Sequence, residues 1–157
     1  MNELDIKYIP SGSFNLFEAL CREYDQFYWA VAWAGNPNRF LSEELKEEIR
    51  EKFCKVVVGI HGGFTSPEFL EYYIDKVKYF EEKRDSIFHP KQYLFLKDNT
   101  AALWIGSINF SNAGFKANQE AALLIRGLSD YSIFVEAKKQ ISLWYSQGHP
   151  VTRKVIE

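Results

Sequence analysis

Apolar positions along this chain switch back and forth between two periods. Over residues 13–24 they fall at Phe14, Phe17, Leu20 and Cys21, the spacing of one helix face, with Ser13 in the place of a hydroxyl cap. Residues 27–34 form an unbroken apolar run with aromatics, short enough for a strand buried on both faces, and Gly35-Asn36-Pro37-Asn38 breaks it. Helical spacing returns over 40–53 with a charged outer face. Residues 55–60 are rich in β-branched side chains and form a second buried strand, ending at His61-Gly62-Gly63. Thr65-Ser66-Pro67-Glu68 then sets a hydroxyl ahead of a proline, which predicts a helix running to about Lys83. Beyond it, residues 87–96 and 101–109 read as strands around a turn at Lys97-Asp98-Asn99-Thr100. Residues 111–118 read as a loop, 119–126 as a strand and 129–146 as a closing helix.

Strands alternating with helices of this length predict an α/β fold, a mixed β-sheet sandwiched between helices. The 157 residues suit a single domain over 1–150, followed by a basic tail at 151–157 that is expected to be mobile. With 46% hydrophobic and 25% charged residues, the chain excludes the disordered class. The formal net charge of −2 excludes a general nucleic-acid coat protein, so a phosphate polymer would have to be held by a local positive groove. The basic clusters (Lys46, Arg50, Lys52, Lys55, then Lys76, Lys78, Lys83, Arg84) are interleaved with acids and read as solvated helix faces. Cys21 and Cys54 lack a CxxC partner and read as buried free thiols of a reducing compartment. The acidic first residues carry no secretion-signal pattern, and the run over 27–35 is too short to span a membrane. A cytoplasmic protein with no membrane partner is expected.

Polar residues inside the apolar strands carry the chemistry. His89 and Lys91 are two apart and so share one side of a strand, as do Ser107 and Asn109. Setting His89 across from Asn109 and Lys91 across from Ser107 requires an odd hairpin loop, such as Asp98 to Thr100. A two-residue turn at Asp98-Asn99 would send the pairs to opposite faces. Inside a buried hairpin such groups cost on the order of several kcal/mol unless paired or used. His61 and His149 are not at zinc-ligand spacing from His89, and Lys91 would repel a metal, so chemistry without metal or cofactor is expected. Gly106-Ser107-Ile108-Asn109 lacks the second glycine of a nucleophile elbow; Ser107 suits a donor to a phosphate oxygen, with Asn109 beside it. Gly106 suits close packing of backbone or of a neighbouring side chain. Glu120 enters the apolar run 121–125 and could orient a histidine ring. Thr65, in the loop before a helix start, and Ser111, Lys116 and Arg126 are candidate rim contacts to substrate.

The pair of segments Phe88-His89-Pro90-Lys91 and Trp104-Ile105-Gly106-Ser107-Ile108-Asn109 resembles the H-x-K…G-S-x-N signature of the phospholipase D superfamily. The resemblance implies that His89, Lys91, Ser107, Asn109 and Glu120 act on a phosphodiester, with Glu120 bonded to the histidine. The family's Asp, five residues after the Lys, is Leu96 here, and Asp98 falls in the hairpin turn. Metal-independent restriction endonucleases of the superfamily look similar in lacking it, which points to nucleic acid as substrate, DNA ahead of RNA. Since the chain has one motif and the chemistry needs two histidines, the resemblance also implies a homodimer working through a phosphohistidine. Any sequence specificity would come from loops or from a separate specificity or defence-system protein. Two alternatives stand: a phospholipid-directed phosphodiesterase or phosphatidyltransferase of the same superfamily, and a non-catalytic nucleic-acid-binding dimer module.

Overall fold

The computed structural model describes residues 3–81 and 83–157. In chain order the elements are β1 (Asp5–Pro10), α1 (Phe14–Glu23), β2 (Gln26–Val31), α2 (Glu43–Lys52), β3 (Phe53–Gly59), α3 (Pro67–Tyr72), β4 (Val77–Phe80), β5 (Lys91–Lys97), β6 (Thr100–Gly106), α4 (Asn112–Lys116), β7 (Ala121–Leu128), α5 (Ser132–Gln147), β8 (His149–Pro150) and α6 (Arg153–Ile156). The strands make one mixed sheet in the order β1-β7-β6-β5-β2-β3-β4-β8. The β2–β3 and β3–β4 pairs are parallel, whereas β5, β6 and β7 form an antiparallel meander against β2.

The apolar periods noted in the sequence settle which helix covers which face. On one face, Phe17 and Leu20 of α1, Leu45 and Ile49 of α2, Phe69 of α3 and Phe115 of α4 pack on Trp29, Val31, Tyr93, Phe95 and Trp104. Phe17 sits at the centre, only 1% exposed, with its ring 4.4 to 5.7 Å from those of Trp29, Tyr93, Phe95, Trp104 and Phe115. Each such ring contributes about 1.5–3 kcal/mol when fully buried, so this face anchors the domain. On the other face, Phe134, Ala137 and Ile141 of α5 pack on Tyr28, Ala30, Leu94, Ala101, Leu103 and Ile125. The helix–sheet–helix sandwich expected from the sequence is therefore present. Among the described residues, no helix is long and apolar enough to cross a membrane.

Several expectations need correction. The helix starting at Ser66-Pro67 is capped as expected, Ser66 Oγ accepting from Phe69 N–H at 3.1 Å, but it ends at Tyr72 rather than near Lys83. Residues 77–80 are a strand instead, because Val77 and Tyr79 alternate into the core and the segment pairs parallel to β3. Residues 87–89 lie outside any strand, and β5 begins only at Lys91. The hairpin closes with the two-residue Asp98-Asn99 turn: Lys97 pairs with Thr100 and the ladder carries no bulge. Asp98 adopts φ 50°, a region that Asp tolerates better than most residues, and Thr100 Oγ1 donates to Lys97 O at 2.8 Å. The odd-loop register is thus wrong.

Smaller differences follow from packing. Ser13 begins α1 but its hydroxyl makes no cap bond. Residues 112–116 of the expected loop form α4. β1, which the sequence did not announce, is an edge strand alongside β7. Lys46 is 3% exposed rather than solvated, bonded to Asn38 and to Glu43, with its ammonium 5.0 Å from the Tyr72 ring. Cys21 is buried but Cys54 is exposed. In the segment expected as a tail, Val151 is buried, and Val155 and Ile156 of α6 pack on the core.

Candidate active site

The strand directions put one end of the sheet in common use. β2, β3 and β6 finish there, while β5 and β7 start there, as the pairs Val31–Lys91 and Gly106–Ala122 fix. Ligands collect at such carboxyl ends of parallel strands. All five residues of the motif lie at this end.

His89 is placed by its neighbours in the chain. Phe88 turns under α5, stacked on Phe80 at 4.7 Å and edge-on to Trp144 at 5.4 Å. Pro90 O accepts the Ala32 N–H at 2.7 Å, tying the segment to the end of β2. Alternation along this extended chain then turns His89 out, so the imidazole is exposed at the sheet mouth rather than buried in the hairpin. Half-buried Lys91 lies next to it, with Nζ 2.9 Å from each ring nitrogen. Partial burial pushes the His89 pKa below the ordinary histidine range, and the Lys91 charge and then His61 add to this. Burial also lowers the Lys91 pKa, opposed by the carboxylate of Glu120.

Ser107 and Asn109 reach the site by a route other than strand alternation. β6 ends at Gly106, and the chain bends at Ser107. A Cβ on Gly106 would lie 2.3 Å from Ala121 O and 2.5 Å from Ala122 Cα, so glycine is what lets β6 and β7 approach here. Ser107 N–H donates to Ala121 O at 2.9 Å, and its Oγ accepts from Ala121 N–H at 3.1 Å. The Ser107 hydroxyl proton is directed at the Glu120 carboxylate. Glu120 also accepts from Asn118 Nδ2 at 3.2 Å, and its own N–H is held by Ser11 Oγ at 2.7 Å. The carboxylate is therefore engaged by Ser107 and Asn118, not by the histidine as the resemblance implied. Its electrostatic effect falls on Lys91. Asn109 Oδ1 accepts the Trp33 N–H at 3.2 Å, which leaves the amide NH2 as the free donor.

Trp33 is the residue that sequence reasoning missed. It follows β2 and is in contact with most of the site: the Lys91 ammonium lies 5.4 Å from its ring, the His89 ring stands edge-on at 5.2 Å, and its indole N–H donates to His61 Nε2 at 2.9 Å. His61, considered from sequence only as a metal ligand, is buried and accepts that bond. Nothing in the pattern of an apolar run distinguishes a terminal Trp from a core one. Its position before Gly35 was the available signal.

The rim candidates do not join this network. Thr65 is buried, its hydroxyl accepting from Ala34 N–H at 3.1 Å and donating to Gly59 O, so it closes the β2–β3 end and offers nothing to a ligand. Ser111 caps α4 through Gly114 N–H at 3.0 Å, Lys116 Nζ lies over the Phe14 ring at 4.5 Å, and Arg126 pairs with Glu23 at 3.0 Å. Among the described residues, no three His, Cys, Asp or Glu side chains are grouped to hold a metal ion.

No protein-family model matches the chain, and no curated protein matches its sequence. Solved structures do match it. NucT from Helicobacter pylori superposes with a TM-score of 0.67 at 14% identity, over 94% of this chain and 99% of that one. Nuc from Salmonella typhimurium, a phospholipase D family member, gives 0.60 at 18% identity over 94% and 96%. Phosphatidylserine synthase from Haemophilus influenzae gives 0.61 at 15% identity, over 95% of this chain but 40% of that longer one. With the H-x-K and G-S-x-N segments meeting at the carboxyl end of an eight-stranded mixed sheet, the chain has the phospholipase D fold.

Proposed function

We propose that this chain is a metal-independent phosphodiesterase that cleaves nucleic acid, DNA foremost, as a homodimer. The observation that carries the proposal is the exposed His89 imidazole with the Lys91 ammonium 2.9 Å from its nitrogens. A pKa lowered by burial, then by the Lys91 charge, favours the unprotonated ring that a nucleophile needs, while the ammonium offers a place for a phosphate oxygen.

A ring nitrogen of His89 attacks phosphorus, forming a P–N bond as the P–O bond to the leaving group breaks. The leaving oxygen takes its proton from the protonated His89 of a second copy. Water then attacks phosphorus, gives its proton to that same second imidazole, and the P–N bond breaks to restore the enzyme. Lys91 and the Asn109 NH2 bind the nonbridging oxygens. Ser107 and Glu120 serve by holding each other and by keeping Lys91 charged, a role revised from the resemblance to match their hydrogen bonds.

NucT and Nuc, each matched over 94% of this chain, support nucleic acid as the substrate, and the phosphatidylserine synthase supports the lipid alternative. The test is cleavage of plasmid DNA and of bis(p-nitrophenyl) phosphate in EDTA by wild type and by His89→Ala. Wild type is expected to cleave both, with a loss of roughly a thousandfold or more in the variant. Cleavage that survives His89→Ala, or that needs a divalent metal, overturns the mechanism. Phospholipid turnover without DNA cleavage selects the lipid enzyme, and DNA binding without turnover selects the inert module.

A further inference from the structure

An aromatic side chain stands in solvent beside the site without a role in the chemistry above. Phe64 is 65% exposed, on the loop that follows β3. Hydrophobic exposure of this size in a side chain is ordinary when scattered, but this one is built in place. Gly62 and Gly63 both take left-handed backbone angles, φ 64° and 67°, which an L side chain rarely adopts. A Cβ on Gly62 would lie 2.7 Å from Phe64 Cε2, so the ring folds back over a loop that only glycine allows. The ring then rests 5.1 Å from Trp33, which itself stands 5.2 Å from the His89 ring. The indole is itself fixed by the His61 bond. The result is a pair of aromatic rings leading from solvent to the nucleophile, on a chain whose net charge is −2.

We propose that Phe64, backed by Trp33, is a stacking platform for an unpaired nucleobase next to the scissile phosphate, so that the enzyme takes single-stranded nucleic acid. The inference rests on the nucleic-acid reading above and names its substrate class. With a net charge of −2 the chain draws no attraction for a polyanion from its overall charge, and stacking on an aromatic ring supplies affinity that does not depend on charge. In a duplex both faces of each base are already stacked, so the platform rewards only strands whose bases are free.

The experiment measures binding of a labelled single-stranded oligonucleotide, of the same sequence as a duplex, and of an oligonucleotide of abasic sites. Each is titrated into His89→Ala protein, and into the same protein carrying Phe64→Leu or Phe64→Trp. The leucine keeps the apolar bulk and removes the ring. Single-strand binding is expected to weaken roughly tenfold with Phe64→Leu and to recover with Phe64→Trp. The abasic strand is expected to bind the protein that retains Phe64 about as weakly as the normal strand binds Phe64→Leu, which gains nothing from bases. Equal binding of the normal strand with and without the Phe64→Leu substitution, or an equal loss on single strand and duplex, overturns the platform. Base-dependent binding that Phe64→Leu abolishes, in a protein whose wild type cleaves no nucleic acid, upholds the platform and overturns the nuclease reading alone. No binding of any strand overturns both.

Discussion

At the scale of single residues, the proposed site is organised around one imidazole. Partial burial disfavours protonation of His89, and the nearby Lys91 ammonium and then His61 act in the same direction. Removing the cation should therefore raise the His89 pKa. With Lys91→Met, an NMR titration of the imidazole Cε1 proton is expected to move His89 upward, toward the ordinary histidine range. An unchanged midpoint would mean that burial alone sets it. The sign carries into activity: since the nucleophile must be unprotonated, the acid limb of kcat/KM in wild type should lie below the usual histidine range. That His89, Lys91 and Asn109 would be polar groups gathered together was legible in the sequence, because each is a polar residue two positions from another in apolar surroundings. The partner of Glu120 was not legible, because Ser107 reaches it only after the bend that follows Gly106. Trp33 and Phe64 were equally hidden, since an aromatic at a strand end or in a loop looks like any core or surface aromatic.

Element by element, hydrophobic period announced most helices and strands and failed where pairing decided the outcome. Residues 77–80 carry an aromatic and β-branched alternation that continues a helical stretch in sequence, yet the open edge of β3 captures them as β4. The hairpin register could not be inferred from the site for a related reason. The Asp98-Asn99 turn fixes an even register, and the motif residues come together beyond the ends of the ladder, where alternation no longer constrains them. The closing of β6 on β7 thus matters more to the site than the β5–β6 register. Gly106→Ala tests this directly, because the added carbon meets backbone atoms of Ala121 and Ala122 that cannot rotate away. A loss of about 1–3 kcal/mol in denaturant unfolding is expected, together with loss of activity beyond that explained by unfolded protein. Full activity in a folded variant would remove Ser107 and Glu120 from the mechanism.

At the scale of the whole molecule, the sandwich is unevenly covered. Helix α5 lies over β2, β3, β5 and β6, and the β1–β7 corner of the same face is left with Leu4, Ile6, Tyr8, Leu123 and Ile105 at 39–69% exposure. The registers Tyr8–Leu123 and Leu123–Ile105 make this a continuous row, and Ile105 leads directly into Gly106 and Ser107. In the proposed mechanism the second histidine comes from a second copy of the chain, and this row is apolar surface available to such a copy at the site's own end of the sheet. Two copies meeting there would supply the nucleophile and the acid from the same residue. The central claim is the P–N bond at His89, and it is tested most directly by intact mass analysis of the enzyme quenched at alkaline pH during turnover of bis(p-nitrophenyl) phosphate. The account predicts an acid-labile phosphoryl adduct on the peptide that contains His89, absent in His89→Ala. Steady turnover with no adduct on wild type, or the same adduct on a different residue, would contradict it.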